Sequence, residues 1–318
     1  MLRRSTGILL ILVAALTVGG CSEGATRLGM GYRPDVQFAP LYVAAERGYY
    51  QEAGIDIEFS HMPENVAVEL VGAGELQFAI VSGEQVLMAR GQGIPVVYVM
   101  AWWQDYPVGV VVPSGSGIAS VPDLRGKQVG IPGLYGASYI GLRALLDAVD
   151  VSEEDLILDS IGYTQVEAML AGLEEAAVIY VNNEPVQLQA QGMSVDVFRV
   201  ADYVHLTSNG LITNEETIAE DPELIRAMIS ATLRGLQDAL DDPDAAFEIS
   251  TLYVEGLAEV DPTVPRAVLE ESLPFWQAEC LGYSDAEAWE NMQQVLLSMG
   301  LLDQPLVLDQ AFTNTFLP

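Results

Sequence analysis

The sequence predicts an α/β protein of two lobes, each a mainly parallel sheet covered by helices, with a helical extension at the C-terminal end. Three observations carry this. Short apolar runs alternate with amphipathic stretches from Arg27 to Thr213, the pattern of strands joined by crossover helices. A Gly/Ser-rich break, Pro113-Ser114-Gly115-Ser116-Gly117, divides that alternation in two. From Asp221 onward only helical periodicity remains. The 318 residues also exceed what a single core usually fills.

Arg27 to Tyr32 reads as the first strand. Pro40 suits a first helical turn, and Leu41 to Arg47 continue a helix stopped at Gly48. Tyr49 to Gly54 makes a further turn with a glycine stop. Ile55 to Phe59 alternates apolar and polar residues, so it is a strand with one wet face. Asn65 to Val71 is helical, and Leu76 to Val81 is a buried strand. Ser82-Gly83-Glu84 opens a helix that runs to Gly91, and Val96 to Ala101 is the next strand. Beyond the break, strands at Gln128 to Ile131, Leu156 to Ser160, Ala177 to Tyr180 and Val195 to Val200 alternate with helices from Ser138, from Gln165 and after Pro185. Leu211-Ile212-Thr213 returns to the first lobe. Helices at Leu224 to Leu240, Ala245 to Tyr253, Pro265 to Cys280 and Asp285 to Met299 are expected to wrap the first lobe.

The division that follows is 1–20 as a signal peptide, 21–27 as a tether, 28–112 with 208–318 as lobe 1, and 113–207 as lobe 2. Hinges are expected near Val112-Pro113 and Thr207-Ser208. Arg3 and Arg4 precede an apolar run from Ile8 to Val18 that is too short to span a bilayer and has the layout of a secretory signal. Gly19-Gly20-Cys21-Ser22 resembles a bacterial lipoprotein signal, with Val18 where Leu is usual. Cleavage there leaves Cys21 as a lipid-bearing N-terminus. Acyl chains such as palmitate on Cys21 would hold the protein at the outer face of the cell membrane.

Composition narrows the partners. The formal net charge is −32 and Lys127 is the only lysine, so nucleic acid, which needs a basic face, is excluded as a partner. With Cys21 acylated, Cys280 is the one remaining thiol, which rules out a disulfide framework or a cysteine-based metal site. His61 and His205 are the only histidines and have no metal-ligand spacing. No nucleophile-elbow pattern accompanies them.

In open parallel sheets, ligands bind beyond the carboxyl ends of the strands. Those ends supply Asp35, Gln37 and Phe38 after the first strand, and Ser82 and Gln85 after the third. Trp102, Gln104 and Tyr106 follow the strand ending at Ala101. In the second lobe the glycine-rich turn Ile131 to Tyr139 supplies Tyr135, Gly136 and Ser138 at a helix N-terminus. Tyr163 follows the next strand, and Asn182, Asn183 and Glu184 the one after. Rings with amide and carboxyl edges suit a planar heterocycle. Trp103 and Tyr180 are divided between core and cleft. Only Arg33, Arg143 and Arg199 lie near these segments, too few for a strong anion clamp.

The motifs also resemble a family. Phe38-Ala39-Pro40-Leu41-Tyr42-Val43-Ala44, Gly48-Tyr49-Tyr50, Gly54-Ile55-Asp56, Leu124-Arg125-Gly126-Lys127-Gln128-Val129-Gly130 and the turn Gly133 to Ser138 are similar to the substrate-binding receptors of ABC importers, of the nitrate/sulfonate/taurine and thiamine-pyrimidine type. The resemblance implies a type II periplasmic-binding-protein-like fold, no cofactor and no enzymatic activity. Gln104-Asp105-Tyr106-Pro107-Val108, Gly133 to Gly141 and Tyr180-Val181-Asn182-Asn183-Glu184-Pro185 resemble riboflavin-binding lipoproteins of that family. What this implies is a monomeric receptor that closes on riboflavin and hands it to a membrane permease. A thiamine pyrimidine precursor or a sulfonate is the alternative ligand. A pyrimidine-synthesising branch of the same fold carries a cysteine-rich iron motif and an active-site histidine, and this chain has neither.

Overall fold

The computed structural model describes residues 25–318, so the leader and Cys21 lie outside the described residues. The first sheet holds β1 (Thr26–Met30), β2 (Ile57–His61), β3 (Phe78–Ser82), β4 (Val96–Ala101) and β10 (Asn209–Asn214), in the order β2-β1-β3-β10-β4. The second holds β5 (Val108–Pro113), β6 (Gln128–Ile131), β7 (Ile157–Ser160), β8 (Ala176–Tyr180) and β9 (Val195–Arg199), in the order β7-β6-β8-β5-β9. β1 pairs in parallel with β2 and β3, and β6 with β7 and β8. The strand just after each crossing between sheets runs against its neighbours: β5 is antiparallel to β8 and β9, and β10 to β3 and β4.

This pairing corrects the expected boundary at residue 113. Val108 to Pro113 belongs to the second sheet, and the chain crosses at 102–107 and returns at 203–208. The Gly/Ser run lies beyond β5 as a turn; it marks the end of a strand, because sheet membership is set by pairing and not by local composition. The first crossing is tied to the start of β10, where the return crossing ends, since the Trp102 and Trp103 N–H groups both donate to the Asn209 carbonyl, at 3.0 and 2.9 Å.

Helices α1 (Ala39–Glu46), α2 (Tyr49–Glu52), α3 (Glu64–Gly72) and α4 (Gly83–Gly91) cover the first sheet. α5 (Gly136–Asp147), α6 (Gln165–Leu170) and α7 (Glu184–Ala190) cover the second. α8 (Glu215–Glu220), missing from the sequence reading, is a short helix capped by Asn214 Oδ1, which accepts from Thr217 N. Of the C-terminal helices, α9 (Pro222–Asp241) and α10 (Pro243–Ser250) pack on α1 as expected. α11 (Thr263–Trp276) and α12 (Ala286–Ser298) do more than wrap the first lobe: α11 rests on the 3-10 turn Val36–Phe38 and on α7, and α12 on α4 and α5. They brace the two lobes against each other. Among the described residues, no helix is long and apolar enough to cross a membrane.

Candidate functional site

Between the two sheets lies a cleft of about 580 Å³, onto which the carboxyl ends of strands from both sheets open. That volume is in the range of sites for drug-sized molecules. Its floor is a stack of rings. Phe38 lies 5.3 Å from Trp102 at 25°, and Trp102 lies 6.2 Å from Trp276 at 26°. Trp103 meets Trp102 edge-on and also lines the cleft, as does Tyr180, so both rings serve core and cleft together.

The facing wall is the turn between β6 and α5. Tyr135 is the N-cap of α5, and its ring lies against Gly133: a Cβ there would come 2.3 Å from Tyr135 Cε1, so any larger residue would push the ring aside. Tyr135 and Tyr163 are 68% and 63% exposed, which leaves their faces free for a ligand. Tyr32, from the first lobe, meets Tyr163 edge-to-face with centroids 6.1 Å apart, so rings of the two lobes touch across the cleft.

Ten of the residues named from sequence line this cleft: Gln37, Phe38, Gln85, Trp102, Tyr135, Gly136, Ser138, Tyr163, Asn183 and Glu184. Five do not, and each has a supporting task. Asp35 Oδ1 accepts from Gln37 N at 3.0 Å and Gln37 Nε2 at 3.1 Å, which orients the Gln37 amide. Asn182 is buried; its Nδ2 donates to Gln37 Oε1 at 2.9 Å and to Ser272 Oγ at 2.8 Å, joining both lobes to α11. Tyr106 is buried and donates its hydroxyl to the Ala137 carbonyl at 3.0 Å, beneath the start of α5. Gln104 N donates to the Phe275 carbonyl at 2.7 Å within the crossing. Ser82 is fully buried behind the wall formed by Glu64.

The sequence reading missed Tyr32, Glu64, Asn65 and Asn209, which also line the cleft. Glu64 follows Pro63 and reads as an ordinary acidic residue in a first helical turn. Asn209 opens a strand that returns from the other lobe, so only tertiary pairing brings it to Glu64. None of the three arginines expected near the site is among the lining residues. Arg33 sits over the Tyr32 ring at 5.3 Å, Arg199 over Phe275 at 5.0 Å, and Arg143 pairs with Glu153 at 2.9 Å. No lysine or arginine is among the lining residues. His61 is held at 2.7 Å from the Tyr32 carbonyl, and His205 faces Asp285 at 3.6 Å.

Glu184 sits in the first turn of α7 and accepts from Tyr180 N at 2.9 Å. Burial is the main cause that pushes its pKa from the ordinary 4.5 up to about 7. The folded protein therefore holds a proton there that the unfolded chain releases, and stability falls as pH rises from about 4.5 through about 7. Glu184→Gln is expected to flatten this slope and to raise stability at alkaline pH, by up to about 3 kcal/mol from the size of the shift. Thermal melts of both proteins across that range check it.

Two mixed five-stranded sheets, linked by two crossings and enclosing a ligand-sized cleft, define a two-lobed periplasmic-binding-protein fold of type II. The comparison with solved structures agrees: the periplasmic aliphatic sulphonate binding protein SsuA from Escherichia coli superposes with a TM-score of 0.73 over 90% of this chain and 91% of its own, at 16% identity. The chain belongs to the NMT1/THI5-like family, whose model matches residues 35–246. It is 42% identical over 299 residues to the riboflavin-binding protein RibY of Chloroflexus aurantiacus, covering 92% of this chain and 85% of that one. It is 26% identical to the formylaminopyrimidine-binding protein of Halalkalibacterium halodurans, over 98% and 99% of the two chains. A 4-amino-5-hydroxymethyl-2-methylpyrimidine phosphate synthase of Legionella pneumophila is 24% identical over 88% of each chain.

Proposed function

We propose that the cleft takes riboflavin and that the protein is the extracytoplasmic receptor of an ABC importer, held at the membrane by lipid on Cys21 and delivering its ligand to the permease. The observation that carries this is a ring-walled cleft, free of lysine and arginine, in a chain so similar to a protein named for binding riboflavin. The flat isoalloxazine would lie among Trp102, Tyr135 and Tyr163, with Gln37, Gln85, Asn183 and Glu184 at its polar edges. The lobes would bend at the crossings 102–107 and 203–208. A drug-sized ligand gains about 0.3 kcal/mol per non-hydrogen atom, so the roughly 27 of riboflavin support about 8 kcal/mol, which is micromolar binding. Titrating purified protein into riboflavin is expected to quench flavin fluorescence at micromolar concentrations. No quenching at tens of micromolar overturns the ligand assignment.

A second reading, favoured by the helix N-terminus behind Gly133 to Ser138, is an anionic pyrimidine or a sulfonate. The absence of a cation among the lining residues speaks against it. Calorimetry with each compound separates the two readings. Catalysis of the synthase type has little to work with here: the sequence holds only Cys21 and Cys280, and neither histidine is among the lining residues. Stoichiometric iron in the purified protein would reopen that reading.

A further inference from the structure

Behind the Glu64 wall lies a second carboxyl group that ligand recognition among rings does not call for. Ser82 Oγ lies 2.5 Å from Glu64 Oε2 and 2.5 Å from Glu84 Oε1. A serine hydroxyl has one hydrogen, and an ionised carboxylate can only accept. Two such bonds at one Oγ therefore require a further proton, carried by one of the carboxyl groups and donated to the serine. The other oxygen of Glu64 is already satisfied, accepting from Ser82 N at 3.0 Å and from Asn209 Nδ2 at 3.1 Å. Glu84 is fully buried, and its Oε2 has no partner among the described residues, which is costly for a full negative charge. Gly31 makes the space: a Cβ there would come 2.6 Å from Glu64 Cγ and 2.6 Å from the Ile80 carbonyl oxygen.

We propose that Glu64 and Glu84 share one proton through Ser82, and that this proton belongs to the ligand site, so that capture of an uncharged ligand is proton-linked and tightens as the medium becomes more acidic. The proposal rests on the cleft being the ligand site. Glu64 still meets the cleft, and a neutral ligand laid over it removes its remaining solvent, which favours the protonated form. By linkage, whatever ligand capture does to the proton, the proton does to capture. None of the described ion pairs involves Glu64 or Glu84; the cation nearest the cleft, Arg33, sits over the Tyr32 ring at 5.3 Å. The titratable groups facing the pair are the phenols of Tyr98, Tyr106 and Tyr180, which burial pushes far above their ordinary value, and of Tyr163, raised less because it is only partly covered. Burial, and for Glu64 the neighbouring Glu84, also push both carboxyl groups above the usual carboxylate range. The same pair repels an anion, which fits a cleft selective for uncharged polar molecules.

The test is riboflavin affinity at about pH 6 and about pH 9, for the protein with Glu64 and for Glu64→Gln, with infrared spectra of the ligand-free proteins. Glu184 lines the same cleft and titrates in this window, so both proteins carry Glu184→Gln; in that background the protein with Glu64 is expected to bind at least about threefold more weakly at the higher pH, and Glu64→Gln to lose that dependence. The carbonyl band of a neutral carboxylic acid is expected at neutral pH and should shrink in the Glu64→Gln/Glu84→Gln double variant. Equal affinity of the protein with Glu64 at both pH values, or an unchanged band in the double variant, overturns the proposal. If the native protein binds riboflavin at neither pH while the band shrinks as expected, the ligand assignment fails and the shared proton stands.

Discussion

Tyr135→Ala is expected to weaken riboflavin binding at least about tenfold while leaving stability within about 0.5 kcal/mol. The asymmetry comes from where the ring is. Tyr135 is 68% exposed, so its removal costs the fold little. A ring that a ligand covers contributes its buried area, and a favourable aromatic pair adds about 0.5–1.5 kcal/mol beyond that. Tenfold is about 1.4 kcal/mol, so the stack alone nearly supplies it. Fluorescence titration and a thermal melt of the same variant decide the matter. An unchanged dissociation constant would move the stacking contact to another ring.

Trp102→Ala is expected to fail in the opposite way, losing about 3–5 kcal/mol of stability as well as the floor of the cleft. Trp102 is 3% exposed and lies between Phe38 and Trp276, so truncation opens a hole where the first lobe meets α11. Trp102→Phe keeps a ring in the stack and is expected to recover a large share of that loss. Urea unfolding of the two variants measures the difference. Equal unfolding midpoints for the native protein and Trp102→Ala would show that the stack is not what holds this floor together.

Most of the architecture could be read from the chain because strands and helices alternate with clear periods and stops. Pro40 at the first turn of α1, the glycine after α2 and the run Val96 to Ala101 all stand where local chemistry puts them. What local chemistry could not decide was membership. Val108 to Pro113 is an apolar strand in either lobe until Val110 is seen opposite Val178 and Phe198. The site shows the same division. Strand ends gave the rings, since a tyrosine after a glycine-rich turn has few other places to go. Asn182 follows a strand end and so reads as a ligand contact, yet its side chain is drawn under the floor by Gln37 and Ser272, residues 145 and 90 positions away. Glu64 was passed over for the converse reason: nothing in Pro63-Glu64-Asn65 announces that Ser82, Glu84 and Asn209 will gather around it.

The most direct measurement is a crystal structure of the protein grown with riboflavin. The expected result is one flavin between the sheets, its ring system within van der Waals contact of Trp102 and of Tyr135 or Tyr163, with the lobes drawn together about the crossings at 102–107 and 203–208. A flavin bound outside the cleft, or saturating riboflavin with the cleft unfilled, would contradict it.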